Sequence, residues 1–376
     1  MYCQMKILLV GNYVFDGSYS MQLFARVMYE ELSKRDINVK LVAPRPFWGR
    51  IYPGHHGIGK WLGYIDRFVL FPFYLGVLKK KYDIVHFCDH GSSVYIGKKW
   101  RINTVVTCHD MLAVRGALGE ISGCKPSFFG VVMQKKIIRG MKMSAKVACV
   151  SRATLADTKR ILDRVEGLCV VSNGLNYEYH VISQKDINYR LQGVIAEGTK
   201  YIIHVGTNLP RKNRQTVIRA FSEIPHDMNI YLVIVGRMLD DDLIRLAKSL
   251  NVQNRIIQIY RPEVKILEAL YNNAIALLFP SYYEGFGWPV VEAQACGCPV
   301  IASDIDPFVE ILGDTAIICG VEAYKDMSRG VVSLCINIAL RKNIIQKGLQ
   351  NVQMHYMKEK MIDGYIDLYR GMICEK

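Results

Sequence analysis

The sequence predicts an α/β protein built from two doubly wound, parallel-sheet domains. Three observations carry that prediction. Strand-like runs alternate with helical ones from the start of the chain. Those runs are apolar throughout, as strands covered on both faces must be. The alternation stops once, in the polar, glycine-containing stretch 177–199, and then begins again. At 376 residues, about half of them apolar, each half is large enough to bury a core.

In the first half the strand runs are KILLVGN, NVKLVA, DIVHFCD, TVVTCHD, KVACVS and LCVVSNG. SMQLFARVMYEELSKR and RATLADTKRIL read as helices between them. In the second half the strand runs are KYIIHVG, NIYLVIVG, RIIQIY, AIALLFP, PVIAS and TAIIC. Helices are expected there from about Arg211, from about Asp241, around Leu267 and after Trp288. The expected domains are 1–180 and 181–356. Met361, Ile362, Tyr365, Ile366 and Tyr369 mark a last helix within about 357–376. Periodicity leaves open whether it packs on its own domain or returns to the first. Ligands of such sheets sit beyond the carboxyl ends of the strands, so two facing sheets predict a cleft.

Charge is distributed unevenly. Residues 1–180 hold 26 Lys and Arg against 13 Asp and Glu, a net +13, whereas residues 181–376 hold 22 against 21. A basic first half predicts an anionic surface or acceptor as its partner. The eleven cysteines are scattered through apolar segments, the pattern of buried reduced thiols, and point to the cytosol. The start, MYCQMKILLV, lacks the features of a signal peptide, and no run reads as a spanning helix. Residues 59–81, GKWLGYIDRFVLFPFYLGVLKKK, are the nearest to one, but Asp66, Arg67 and Pro72 interrupt them. They read as a core helix with a lysine tail, or as a segment resting on an anionic membrane.

Chemistry concentrates in residues 280–300, PSYYEGFGWPVVEAQACGCPV. A strand ends, Gly285 and Gly287 form a loop whose backbone can approach a ligand, and Pro289 suits the first turn of a helix. Unpaired amides and a positive dipole end there form an anion site, for which a diphosphate is the natural guest. Glu292 is expected in the first turn, able to accept from a ribose diol, and Glu284 before the glycines, within reach of hydroxyls at the ligand's far end. The bland alternative is a helix-dipole partner and a solvated loop residue. A second segment, HVGTNLPRKN (204–213), also runs from strand through glycine into a helix start. It supplies Arg211, Lys212 and Arg214 as candidate phosphate cations. Two anion-ready strand ends in one domain weigh against the bland reading.

Both segments resemble the retaining, GT-B-fold glycosyltransferases of family 4, two Rossmann-like domains facing across a cleft. The form EGFG-x-P-x-x-E-A-x-A-x-G-x-P-V recurs over residues 284–300. The likeness is close over most of 200–320 and an outline in the first half, through VGN, TCHD and SNGL. The resemblance implies that Glu292 binds the ribose and that Glu284, with the amides of Phe286 and Gly287, holds the donor sugar. Lys212 would take the diphosphate, and Gly206, Gly285 and Val291 belong to the same donor segments. Many members have an arginine where Thr207 stands, and Arg211 is expected to supply that second cation. His109, after the TVVTC strand, is implied beside the transferred sugar, with Glu284 as its catalytic companion; a core histidine is the alternative. Where members carry a Gly-Gly loop this chain has GNYVFDGSYS, and Gly17, Ser18 and Tyr19 are the candidates for phosphate or acceptor.

The activity so implied is transfer of a hexose, with its anomeric configuration kept, from a UDP- or GDP-hexose to a glycan, lipid-linked or other acceptor. No cofactor, metal or nucleic acid is expected, and the location is cytoplasmic, peripheral at the inner membrane face. A phosphorylase or epimerase on the same architecture, or a non-catalytic basic adaptor, are the alternatives. Asp304-Ile305-Asp306 spells D-x-D but reads as a helix cap through Ser303 and Asp304, and Asp240–Asp242 as a helix start.

Overall fold

The computed structural model describes residues 5–48, 57–97, 100, 103–121 and 126–374, and within them twelve strands form two six-stranded sheets. The chain divides into two compact units, Met1–Asn176 with Lys358–Lys376, and Tyr177–Met357.

The first sheet contains β1 (Lys6–Val10), β2 (Asn38–Val42), β3 (Ile84–Phe87), β4 (Asn103–Cys108), β5 (Lys146–Cys149) and β6 (Leu168–Val170). Their order is β2-β1-β3-β4-β5-β6, with every pair parallel. The second contains β7 (Lys200–Gly206), β8 (Ile230–Gly236), β9 (Ile256–Ile259), β10 (Leu277–Phe279), β11 (Val300–Ser303) and β12 (Ile317–Cys319). Its order is β12-β11-β10-β7-β8-β9, again parallel throughout. This is the doubly wound architecture expected, and each of the twelve anticipated runs is a strand. The central strands are buried on both faces: Ile7 to Val10 and Leu277 to Phe279 have no exposed surface. Each such side chain contributes about 1.5–3 kcal/mol.

Both sheets reverse direction beside their first strand. β1 has β2 on one side and β3 on the other; β7 has β8 on one side and β10 on the other. Such a switch point leaves a crevice at the carboxyl ends, because the two flanking connections depart to opposite faces.

Several local expectations need correction. The polar stretch 177–199 is more than a connector. It holds the helix Gln184–Leu191, capped by Ser183 and anchored by buried Ile187 and Leu191. Pro72 does not interrupt its segment. An α-helix (Gly57–Ile65) continues through a π-turn (Asp66–Leu70) into a second α-helix (Phe71–Leu78) and a 3-10 turn at Lys79–Lys81. The amide of Phe71 reaches back to Asp66 O, so the wider turn absorbs the donor that proline lacks. Trp61–Lys81 is thus one continuous helical run, long and apolar enough by length and composition to cross a membrane, with a mean hydropathy of 1.3. It is not a core helix, since only 28% of it is buried. The D-x-D triplet supplies no side-chain cap. Ile305 holds the cap position of helix Asp306–Leu312, while Ser303 Oγ donates to Ser281 O and Asp304 N to Cys319 O. Asp240 does cap the helix Asp241–Ser249.

The final helix, Lys358–Cys374, belongs to the first unit. There Tyr369 Oη lies 2.6 Å from His86 Nδ1, His86 Nε2 lies 2.7 Å from Thr107 Oγ1, and Tyr365 Oη lies 2.7 Å from Thr107 Oγ1. Every member of this four-residue chain is buried and bonded, so the helix is fixed in one register on β3 and β4.

Candidate active site

The switch point of the second sheet brings together the residues after β7 and after β10. Beyond Gly206 the chain makes a 3-10 turn, Pro210–Lys212, and Asn213 takes a left-handed conformation (φ 50°) to cap helix Arg214–Ser222. The helix therefore starts three residues later than expected. Arg211 and Lys212 lie in the turn before it, aimed across the crevice. Tyr282 N donates to Arg211 O at 2.8 Å, tying the two loops together.

Three donors converge there on one oxygen, Glu284 Oε1: Lys212 Nζ at 2.5 Å, Arg211 Nη1 at 2.8 Å and Ser281 Oγ at 3.0 Å. Oε2 of Glu284 makes no hydrogen bond among the described residues. Glu284 and Lys212 are both buried, and Lys212 Nζ also lies 4.6 Å over the Phe279 ring. Burial pushes the Glu284 carboxyl up, but Lys212 and Arg211 outweigh it and hold the carboxyl below its usual range. Lys212 is itself lowered, by burial first and in spite of Glu284. Three donors share the Glu284 oxygen, so the pair is a carboxylate held by cations. Glu284 is a carboxylate clamped by cations, which excludes the solvated-loop reading.

Gly287 has φ 95° and caps helix Trp288–Ala295; a Cβ there would stand 2.6 Å from Phe308. Phe286 packs its ring on Trp288 and Tyr356. Because the helix begins at Trp288, Glu292 is its fifth residue and stands in the second turn, not the first. It is buried, and Tyr271 Oη donates to its Oε2 at 3.1 Å, so it is no dipole partner at the helix start. Val291 is fully buried.

Arg214 is a correction too. Burial lowers its pKa to about 10, and its guanidinium donates to Gly206 O, Val235 O, Arg237 O and Asn208 Oδ1. It holds the strand ends instead of offering itself to an anion. Gly236, which the motifs do not single out, is required beside it. Its φ is 120°, and a Cβ would lie 2.0 Å from Gly206 O. His204 is also new. Its Nδ1–H donates to Leu278 O at 2.9 Å, its Nε2 is buried without a partner, and burial, with Arg214 and Lys212, lowers it to about 3. Its place two residues before the strand-end glycine, on the same face, was the available signal. A cavity of about 870 Å³, lined by Gln184, Leu191, Lys200, Asn273 and Arg341, opens at the start of β7, the opposite end of that strand.

The switch point of the first sheet, between β1 and β3, holds a polar cavity of about 200 Å³. Asn12, Tyr13, Arg67, Asp89, Tyr95 and Gln134 are among its walls. Asn12 Nδ2 donates to Asp89 Oδ2 at 2.5 Å, and His90 Nδ1 lies 3.2 Å from Asp89 Oδ1. Burial opposes charge on both; their mutual attraction prevails, lowering Asp89 and raising His90. Asn12 Oδ1, Gln134 Oε1 and Arg67 Nε are buried without partners. His109 follows β4; its Nε2–H donates to Cys88 O at 2.9 Å, Phe24 meets its ring edge-on, and burial lowers its pKa. Gly17 (φ 69°) closes a short turn, Ser18 precedes helix Tyr19–Ser33 without capping it through its side chain, and Tyr19 is exposed. None of these three lines the cavity.

The family described as Glycosyltransferase Family 4 matches residues 21–179, and Glycosyl transferases group 1 matches residues 186–351. The chain is a family 4 glycosyltransferase. The N-acetyl-alpha-D-glucosaminyl L-malate synthase of Bacillus anthracis is 25% identical over 305 residues, covering 80% of this chain and 75% of that protein. Among solved structures, sucrose-phosphate synthase from Thermosynechococcus elongatus superposes with a TM-score of 0.79 at 19% identity, covering 99% of this chain and 100% of that one. Anabaena HepE in complex with UDP and glucose gives 0.75 at 15%, covering 97% and 99%. The fold of this glycosyltransferase is accordingly GT-B.

Proposed function

We propose that this glycosyltransferase is a retaining hexosyltransferase whose donor is a nucleotide-diphosphate hexose, UDP-linked in the first instance. The observation that carries the reading is the convergence of Lys212 and Arg211 on Glu284 at the switch point of the second sheet. It combines two cations for a diphosphate with a carboxylate for sugar hydroxyls, beside a loop of Gly285, Phe286 and Gly287 whose amides open a helix. Glu292, steadied by Tyr271, takes the ribose. HepE, a neighbour in fold, binds UDP and glucose.

In the reaction the bond from the anomeric carbon to the diphosphate oxygen breaks. An acceptor hydroxyl oxygen bonds to that carbon on the same face, and its proton leaves with the diphosphate. Lys212 and Arg211 offset the charge that develops on the leaving group, so no metal is called for. His109, held by its bond to Cys88, contacts the transferred sugar. The acceptor is a glycan or lipid-linked hydroxyl compound held by the first unit. The unpartnered Asn12 Oδ1, Gln134 Oε1 and Arg67 Nε support the cavity between β1 and β3 as its seat. The setting is the cytoplasmic face of a membrane, in cell-surface glycan assembly.

A thermal-shift panel of UDP, GDP and ADP tests the donor site. A nucleotide at one hundred times its dissociation constant stabilises the native state by about 2.7 kcal/mol. UDP is expected to raise the melting point, and Lys212→Ala to abolish the rise. No shift with any of the three refutes the assignment.

A further inference from the structure

The run from Gly57 to Lys81 is unusual in how it is seated. Its inner side is tied to the first unit: Asp66, 1% exposed, accepts from Trp48 N at 3.0 Å and from Tyr13 Oη at 3.4 Å, and Phe71, Leu75 and Leu78 are buried. Arg67 pairs with Asp16 at 2.7 Å. Its outer side carries Trp61 (61% exposed), Ile65, Val69, Phe73 (80%) and Val77, one every four residues.

In an unbroken α-helix, five residues spaced by four drift about 160° around the axis. The five-residue π-turn Asp66–Leu70 is wound more loosely and removes roughly 90° of that drift. The stripe is thereby gathered onto one side, and exposed Phe47 and Trp48 lie beside it, next to Asp66. The end of the run is cationic. Lys79 lies 3.7 Å over the Trp100 ring, and Lys80 and Lys81 are exposed. Helix Phe128–Met143, across the cavity between β1 and β3 from Phe68, adds exposed Phe128, Phe129, Lys135 and Lys136. A stripe of large exposed apolar side chains rimmed by lysines marks an interaction surface.

From this face we infer that the first unit docks on an anionic lipid surface, with the Trp61–Val77 stripe lying in the interface and Lys80 and Lys81 at the headgroups. Aromatic and aliphatic groups flanked by lysines, within a half-chain of net +13, match such a surface in both polarity and charge. The helix lies flat, because crossing the bilayer would strip Asp66 and Arg67 of their partners and bury their charges in hydrocarbon.

The test is co-sedimentation of the full chain with vesicles of phosphatidylcholine, with and without phosphatidylglycerol. Binding is expected on the anionic vesicles and falls as salt rises. Lys80→Glu/Lys81→Glu should weaken it by about tenfold or more, and Phe73→Ser/Val77→Ser should weaken it comparably. All four side chains are exposed, so both variants should keep the circular dichroism and the nucleotide-induced melting shift of the parent. Absence of binding to anionic vesicles, or binding that neither variant changes, overturns the inference. So does retention after alkaline carbonate washing, which would mean insertion. A dimer dissolved by Phe73→Ser/Val77→Ser in a chain that ignores vesicles would assign the face to a second copy instead.

Discussion

Glu284 and Lys212 offer the sharpest test, through a double-mutant cycle of Glu284→Gln and Lys212→Met. In the parent, a buried ammonium and a buried carboxylate stand 2.5 Å apart, and Arg211 adds a second cation on the same oxygen. Removing the charge of Glu284 leaves Lys212 buried against Phe279 with no anion in contact, a situation that costs about 3–5 kcal/mol. Removing Lys212 leaves Glu284 with Arg211 and Ser281, so that loss is smaller, about 2 kcal/mol. The double variant places a neutral amide beside an apolar chain of similar length and leaves only the part-exposed Arg211 without its carboxylate. Its cost should stay close to that of one single change, giving a coupling of at least about 2 kcal/mol. Calorimetry is the assay, since the second unit spans residues 177–357. For a unit of this size 1 kcal/mol moves the midpoint by about 2–4 °C, so Glu284→Gln alone should lower it by roughly 6–20 °C. Singles that add to within about 0.5 kcal/mol would refute the clamp. Turnover by Glu284→Gln is expected to fall about a hundredfold or more, measured as sugar released from the nucleotide.

The glycines separate backbone need from ligand need. Gly236→Ala should destabilise the second unit by more than about 3 kcal/mol in a urea melt, because its Cβ would meet Gly206 O at 2.0 Å. Gly206→Ala meets nothing nearer than 3.4 Å and should fold normally yet lose nucleotide-induced stabilisation. Tyr271→Phe removes the hydroxyl on Glu292 Oε2 and should cost about 1 kcal/mol, with the KM for donor rising more than kcat falls. Burial lowers the neutral His86 of the first unit to about 3, with His109 adding to it. The unfolded chain, with a histidine pKa near 6.5, binds the proton first, so stability is lost as pH falls from about 6.5 toward 3. By pH 5 the loss is about 2 kcal/mol. A His86→Gln variant should flatten that part of a melting-point profile; an unchanged slope would count against it.

The strands of this glycosyltransferase are legible in its sequence because a parallel sheet buries both faces, leaving continuous apolar runs such as KILLV and YIIHV. Helix starts are less so. Asn213 and Gly287 cap from left-handed conformations that a residue's identity permits without announcing. Hence Arg214 reads as a ligand cation when it is a structural clamp, and Glu292 reads one turn early. Tyr271 is tied to Glu292 only by the fold, and no short motif contains both members of that pair, whereas Ser281 stands three residues before Glu284 in the same segment. The charge of the first half is plain from composition. The stripe that accompanies it needs the π-turn, which no periodicity of 3.6 residues anticipates.

The first unit is assembled from two stretches of chain, with all of the second unit inserted between residues 176 and 358. Its helix Lys358–Cys374 brings Tyr365 and Tyr369 to the Thr107 and His86 of strands made long before. During synthesis, therefore, the later-encoded unit can reach its native state while the earlier one waits with polar groups of two central strands unsatisfied. Maturation of the amino-terminal half is timed by the arrival of the last helix, and a chain cut before residue 358 should leave that half dependent on chaperones.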